Sequence, residues 1–313
     1  MDISIIIVNY NTKDLLRDCL NSISKTVLDI SYEIVVVDNA SSDGSIAMLE
    51  EEFPGVRIIK NAENRGFGAA NNQAFRIMKG RYALLLNTDT ILTEQAVKAL
   101  FMFMESDPST AMACGQLLNA DGTKQNSIAA FPTLLTLFSN TALLEYLFPT
   151  RYPSKRHDYK EPIEIDSGIG ACLMVSKNAI DEVGTFDERY FFFFEETDWA
   201  REMRSKGWKI YHVPTARIYH LQGQSIGRDV HSRLEFYRSR YQYFRKWNSG
   251  PVYVLLSCAV FIRLIMNWLF TAAANLFLLG MHRGMRGKLN TYSRLILWHL
   301  KDCPSSMIYY SGN

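Results

Sequence analysis

Three carboxylates crowd into four residues at Glu195-Glu196-Thr197-Asp198, directly behind four phenylalanines, Phe191 to Phe194. Like charges packed this closely, and partly screened from water, raise the pKa of one member and ready it to take a proton. The same spelling suits the first turn of a helix, where acidic side chains meet the positive end of the dipole. Ala200 to Lys206 continues a helical pattern, so both roles can hold together. Asn87-Thr88-Asp89 offers the carbonyl and carboxylate oxygens that hold hard cations such as Mg2+ or Mn2+. In isolation such a triplet is more simply a strand-to-loop turn. His220 presents an imidazole for a metal or phosphate, or for a purely structural hydrogen bond. Asp38 closes an apolar run and could accept from a pyrimidine imide or a ribose hydroxyl, or simply cap the next turn.

The elements that must position these groups follow from periodicity. Ile3 to Val8, Glu33 to Val37, Val56 to Lys60 and Tyr82 to Leu86 are short apolar runs of the kind that form buried parallel strands. Helical spacing separates them, at Lys13 to Ser24, from about Ser45 to Glu52, and at Phe67 to Met78. Alternation of this kind predicts βαβ units and a parallel sheet covered on both faces, with ligands bound beyond the carboxyl ends of the strands. The polar clusters sit at those ends. Farther on, Ala111 to Leu117, Ala171 to Val175 and Trp208 to Val213 read as strands, and Ala216 to His220 as a short segment after Pro214. Phe131 to Asp158, with three prolines, reads as loops and short helices.

Several function classes are disfavoured. A dinucleotide-binding turn needs Gly-x-Gly-x-x-Gly after the first strand, and this chain has Asn9-Tyr10-Asn11-Thr12. A sugar nucleotidyltransferase would want a glycine-rich basic loop at the same place. The net charge of +2 does not suggest a nucleic-acid partner. Five widely spaced cysteines form neither a disulfide framework nor a zinc pattern, which fits a reducing compartment. No secretory signal is read at Met1 to Ser4.

Taken in order, these stretches resemble the family 2 glycosyltransferases, especially the bacterial rhamnosyltransferase-like branch. The matching segments are Ser4 to Asn11, Val35 to Ser45, Asn64 to Asn72, Leu84 to Thr90, Gly170 to Leu173, Gly184 to Glu188, the acidic cluster and His220. The resemblance spans roughly residues 3 to 246. It implies an α/β fold of GT-A type: a mixed, mainly parallel sheet flanked by helices, with a C-terminal helical, membrane-associated appendage. It implies a catalytic domain over 1–230, with a nucleotide-binding half to about 115 and an acceptor half over 116–230, and the jump in apolar density after Pro251 adds a helical region over 231–313. By the same resemblance Asn9, Asn11, Asp38, Asn64, Arg65, Gly68 and Asn87 line the nucleotide-sugar pocket. Asp89 and His220 hold Mg2+ or Mn2+, and Glu196 is the catalytic base of an inverting transfer, with Glu195 and Asp198 as rivals. The motif reads Asn-Thr-Asp, which leaves Asp89 as its only carboxylate. The donor expected is a dTDP- or UDP-sugar, with dTDP-rhamnose first, and the acceptor is a lipid-linked saccharide. The competing reading is a catalytically silent nucleotide-sugar-binding scaffold of a membrane assembly.

Val252 to Met281 is almost wholly apolar, and Arg263, Asn267, Thr271 and Asn275 recur along it every four residues. Arg245 and Lys246 precede it and Arg283, Arg286 and Lys288 follow. Interfacial attachment or a shallow hairpin suits this pattern, against a transmembrane span or a buried core or homo-oligomer helix. The expected location is the cytoplasmic face of the cell membrane. His231 to Trp247 mixes arginines with aromatics and could bind lipid diphosphate or anionic headgroups, or present a packed aromatic face and a solvated basic one.

Overall fold

The computed structural model describes residues 1–139, 141–154, 157–221, 230–278, 281–301 and 303. The chain opens with β1 (Ile3–Asn9), α1 (Lys13–Thr26), β2 (Tyr32–Asp38), α2 (Ser45–Glu52), β3 (Arg57–Lys60), α3 (Phe67–Phe75) and β4 (Tyr82–Asn87). It continues with β5 (Thr90–Leu92), α4 (Ala96–Ser106), β6 (Thr110–Leu118), β7 (Ile128–Ala129), α5 (Leu134–Phe138) and α6 (Thr141–Leu147). Next come β8 (Ile163–Glu164), β9 (Ser167–Gly168), β10 (Cys172–Ser176), α7 (Lys177–Val183), α8 (Glu195–Ser205) and β11 (Lys209–His220). Three long helices close it: α9 (Val230–Trp247), α10 (Gly250–Phe277) and α11 (Arg283–Leu300).

Contacts divide the chain into two compact units, Met1–Phe131 with Ala142–Ser225, and Pro132–Thr141 with Ile226–Asn313. Positions 222–229, just ahead of the domain boundary expected at 230, and 304–313, at the end of the expected helical region, lie outside the described residues.

The first unit is built on a mixed sheet in the order β3-β2-β1-β4-β10-β6-β11-β5, with β8 on β11. β3, β2, β1 and β4 run parallel, while β10 is antiparallel to both β4 and β6. Side chains alternate across each strand, so a strand covered on both faces must be apolar at every position. Ile3, Ile5, Ile7, Val36, Leu84 and Leu86 face one core with α1, α2 and α4. Ile6, Val35, Val37, Ala83 and Leu85 face the other with α3, α7 and α8. Each Ile or Leu so buried contributes roughly 1.5–3 kcal/mol.

Two helices were not foreseen from the sequence, α4 and α7, while α11 falls inside the stretch expected only as a helical region over 231–313. The two segments expected around Pro214 form one strand, β11, whose pairing with β6 shifts register between Val213 and Arg217. Proline cannot donate to a ladder, and a register shift is where a strand tolerates it.

In the second unit α9, α10 and α11 pack around Leu234, Leu264, Leu295 and Trp298. The stretch expected to be a span, a hairpin or a core helix contains one continuous helix, α10, of 28 residues.

Candidate active site

Parallel register brings the ends of three strands together. Asn9 lies opposite Asp38, and Val8 lies opposite Asn87. Asn9 Nδ2 donates to Asp38 Oδ1 at 2.8 Å and to Ser41 Oγ at 3.0 Å. The other Asp38 oxygen accepts the Ser41 amide at 2.9 Å, and the carboxylate is wholly buried. A buried carboxylate is tolerated only when hydrogen-bonded, and here its partners order the loop that follows β2. Thr12 Oγ1 lies 2.8 Å from Asn9 Oδ1 and 2.9 Å from Thr88 Oγ1, which couples the first turn to the Asn87-Thr88-Asp89 loop. Asn11 adopts φ 53° and is exposed, and its Oδ1 accepts the Ser42 amide at 2.7 Å. Such left-handed geometry is one that asparagine tolerates better than most residues.

The Asn64–Gly68 turn docks against the aromatic run. Asn64 Oδ1 accepts the Gly66 amide at 3.0 Å, and Asn39 Nδ2 donates to the Gly66 carbonyl at 3.2 Å. Gly66 sits at φ +82°, and a Cβ there would lie 2.4 Å from the Phe191 carbonyl oxygen. Only glycine fits. Gly68 is packed rather than open, since a Cβ on it would meet Phe186 Cβ at 3.2 Å. Arg65 is exposed and reaches Glu188 at a long 4.0 Å. Asn72, which the sequence did not single out as a site residue, donates to the Phe186 carbonyl and to Glu188 and accepts the Phe186 amide.

Asp89 and His220 meet at the far side of the same rim. His220 pairs with Thr90 across β11 and β5, and the Leu221 amide donates to the Asp89 carbonyl at 2.9 Å. Asp89 Oδ1 lies 3.4 Å from His220 Nε2, and both residues are buried. Gln125 sets the imidazole. Its Nε2 donates to the His220 carbonyl at 2.6 Å and to Asn119 Oδ1 at 2.9 Å, so its Oε1 is left to accept from His220 Nδ1 at 2.8 Å. That contact turns the other ring nitrogen, Nε2, toward the Asp89 carboxylate. A histidine whose outer nitrogen is tied in this way is the usual form of a metal ligand. No cluster of three or more His, Cys, Asp or Glu side chains forms among the described residues. Asp89 and His220 offer one carboxylate and one imidazole, so ligand oxygens and water would have to supply the rest of a small divalent cation's shell.

The three acidic side chains part company in space. All lie in the first turn of α8, entered through Phe193 and Phe194 at φ 69° and 70°. Successive bulky residues in the left-handed region are costly, and such geometry gathers at working sites. Glu195 and Asp198 are buried, and Tyr190 Oη donates to Asp198 Oδ1 at 3.3 Å. Glu196 is half-buried and stands over Gly170, where a Cβ would lie 3.7 Å from its Cδ. Burial raises the Glu196 pKa above the ordinary glutamate value, opposed by the backbone amides of Glu196, Thr197 and Gly170. The next residue, Ala171, accepts the Asn87 amide through its carbonyl at 3.0 Å, which ties this corner to the end of β4.

Comparison with known proteins places these features in a family. The model for "Glycosyl transferase family 2" matches residues 4–184. The chain is 29% identical, over 79% of its length and 85% of the relative's, to the N-acetylglucosaminyl-diphospho-decaprenol L-rhamnosyltransferase of Mycobacterium tuberculosis. It is 26% identical, over 71% of its length and 67% of the relative's, to the low-salt glycan biosynthesis hexosyltransferase Agl10 of Haloferax volcanii. Among solved structures it is similar to the mannosyltransferase PcManGT of Pyrobaculum calidifontis, bound to GDP-Man and Mn2+. The TM-score there is 0.56 at 15% identity, covering 95% of this chain and 87% of that one. It is also similar to GalNAc-T7 with UDP, GalNAc and Mn2+, at TM-score 0.57 and 17% identity, covering 76% of this chain and 47% of that one. At these identities the likeness is one of fold, and that fold is the GT-A mixed sheet flanked by helices.

Proposed function

The chain belongs to glycosyl transferase family 2, and from that premise we propose that it moves a sugar from a nucleotide-sugar donor to a hydroxyl of a lipid-linked saccharide, with inversion. The reading includes dTDP-rhamnose as donor, by similarity to the mycobacterial rhamnosyltransferase. It places the reaction in cell-surface polysaccharide synthesis at the cytoplasmic face of the membrane.

One observation carries the catalytic assignment. Of the three carboxylates in the first turn of α8, Glu196 alone keeps partial access to solvent, and its raised pKa makes it a better proton acceptor. Glu195 and Asp198 support the turn from within. In the proposed step Glu196 takes the proton of the acceptor hydroxyl as that oxygen attacks the anomeric carbon. The bond to the nucleoside diphosphate breaks on the opposite face, so no covalent enzyme intermediate forms.

Asn9, Asn11 and Asp38 hold the loops that receive the nucleoside, with Asn64 and Gly68 shaping the turn beside them and Asn87 closing β4. Arg65, weakly paired with Glu188, retains guanidinium donors for the diphosphate. Asp89 and His220 would hold Mg2+ or Mn2+, which when bound supplies positive charge against the leaving diphosphate. Gln125 keeps the His220 ring turned for that contact.

The test is a donor panel of dTDP- and UDP-sugars with released nucleoside diphosphate as readout, followed by assignment of the product's anomeric configuration. Release from one donor with inverted product is expected. A retained configuration would sink the single displacement, and no nucleotide-sugar binding at all would sink the transferase reading of this chain's site.

A further inference from the structure

The second unit holds a feature that the transfer reaction does not use. α10 buries Leu256, Val260 and Leu264 but exposes Ile262, Met266, Leu269, Phe270, Leu276 and Phe277. The exposed residues recur at helical spacing, so they form one outward apolar face. Arg263 is the single charged residue among the 28 of this helix, and it is exposed on the flank of that face.

Arg263 has more donors than partners. A guanidinium carries five N–H groups, and one nitrogen of Arg263, Nη1, donates to the Leu137 carbonyl at 2.7 Å. The side chain lines a cleft of about 570 Å³ with Thr136, Leu137, Ser139, Thr141, Ile262 and Met266. No carboxylate pairs with it among the described residues. Behind it, Arg240 of α9 stacks over Phe236 at 4.6 Å and Tyr237 at 5.4 Å, also without an acidic partner among the described residues. Burial first, and the like charge of Arg263 after it, lower the Arg240 pKa. An uncompensated guanidinium in a hydroxyl-lined cleft, with a second positive charge behind it, calls for an anion, and the planar fork of arginine matches phosphate. The apolar row that continues from the cleft calls for hydrocarbon attached to that anion.

We propose that Arg263, backed by Arg240, binds the phosphate of a membrane lipid, with Ser139 and Thr141 as hydroxyl partners and the lipid chain along Ile262, Met266 and Phe270. The inference rests on the reading of α10 as lying at a membrane, and it is independent of the chemistry at Glu196.

The test uses the full chain in detergent and calorimetric titration with farnesyl diphosphate, a short prenyl diphosphate, against inorganic pyrophosphate. A nucleoside diphosphate and Mn2+ are present in excess to occupy the active site. Farnesyl diphosphate is expected to bind at least about tenfold more tightly than pyrophosphate. Arg263→Ala is expected to weaken it by about tenfold or more, the scale of a lost charge-assisted contact, and Arg263→Lys by less. Displacement of the probe by phosphatidylglycerol would name a bilayer headgroup as the source of the phosphate. Failure of phosphatidylglycerol to displace it would name an isoprenoid phosphate. Equal binding by wild type and Arg263→Ala, or pyrophosphate binding as tightly as the prenyl probe, overturns the proposal. If Arg263→Ala does not fold, Arg240→Ala and Arg263→Lys carry the same comparison. Nucleoside diphosphate binding, measured separately, reports on the transferase reading alone. Its absence would sink that reading and leave this site standing.

Discussion

The two units of this chain dispose of polar and apolar groups in opposite ways. In the sheet of the first unit the apolar side chains of the strands turn inward in two layers, and Asn9, Thr12, Asp38 and Thr88 at the strand ends bond to one another. Asp38 illustrates this, with both oxygens engaged and no exposure. In the helical unit a row of large apolar residues on α10 faces outward, and Arg240 and Arg263 lack acidic partners among the described residues. A sheet unit of the first kind carries its stability within itself. On the proposal above, a helical unit of the second kind is completed by a membrane and the phosphate it presents. Chemistry should therefore respond to substitutions in the first, and localisation to substitutions in the second.

The largest effect that would sharpen this contrast is expected at Glu196. Glu196→Gln should lower kcat by about 10²–10⁴-fold, the scale of a lost general base, while donor binding stays close to wild type. Measured kcat and donor Kd decide it. A kcat within a fewfold of wild type would move the base to Glu195 or Asp198 and remove the argument from access.

How far this division was legible beforehand differs between the units. The ends of β1, β2 and β4 could be read because a short apolar run followed by Asn or Asp is a local pattern, and the sheet places such ends side by side. Glu196 could not be separated from Glu195 and Asp198, because all three share one helical turn and only the loops packed on it make them unlike. The left-handed Phe193 and Phe194 have no composition signal, since bulky residues seldom adopt that backbone. Gln125 left no trace either: it stands 95 residues from the imidazole it orients. α4 carries apolar residues on more than one side, so its period was blurred, and α11 was expected only as part of a helical region, without bounds of its own. Along α10 the apolar content was plain, but which face turns outward is decided by Leu234, Leu295 and Trp298 on its neighbours.

The next largest effect belongs to Gln125. Gln125→Leu removes the acceptor for His220 Nδ1 and the donors to the His220 carbonyl and Asn119, which frees the ring to turn. Mn2+ affinity, followed by the paramagnetic signal of the free ion without turnover, should fall about 10–100-fold, as for other outer partners of ligating histidines. Gln125→Glu keeps an acceptor at Nδ1 and should recover much of the loss. Unchanged Mn2+ binding in Gln125→Leu would mean that Asp89 and His220 do not share a cation. In the helical unit, Phe270→Glu puts a charge in the outward row of α10 and should weaken partition onto phospholipid vesicles by about tenfold, given the cost of a charge at an apolar interface. Nucleoside diphosphate release from a soluble donor should be untouched. Co-sedimentation and the release assay, run on one preparation, test both halves, and a loss of release would join the two units that the comparison separates.

The smallest effect is a pH dependence that sets the activity of Glu196 against its stability. Burial disfavours the charged carboxylate, so the folded pKa lies above the ordinary glutamate value of about 4.3. A base must be deprotonated to act, so the acid limb of kcat/KM should fall at higher pH than an unperturbed glutamate would give. The sign for stability is opposite. A raised folded pKa favours the protonated form in the native state, so this group's contribution is fully present below the unfolded pKa and is lost as pH rises through the folded one. At neutral pH the charged Glu196 is therefore a cost, and Glu196→Gln, which cannot ionise, should melt above wild type. The gap in Tm should close as pH falls towards ~4, where wild type is protonated too. Melting curves for both proteins from ~pH 4 to ~pH 8 measure it directly. A constant gap across that range would mean that burial does not perturb Glu196, and the choice of this carboxylate as base would then rest on its access alone.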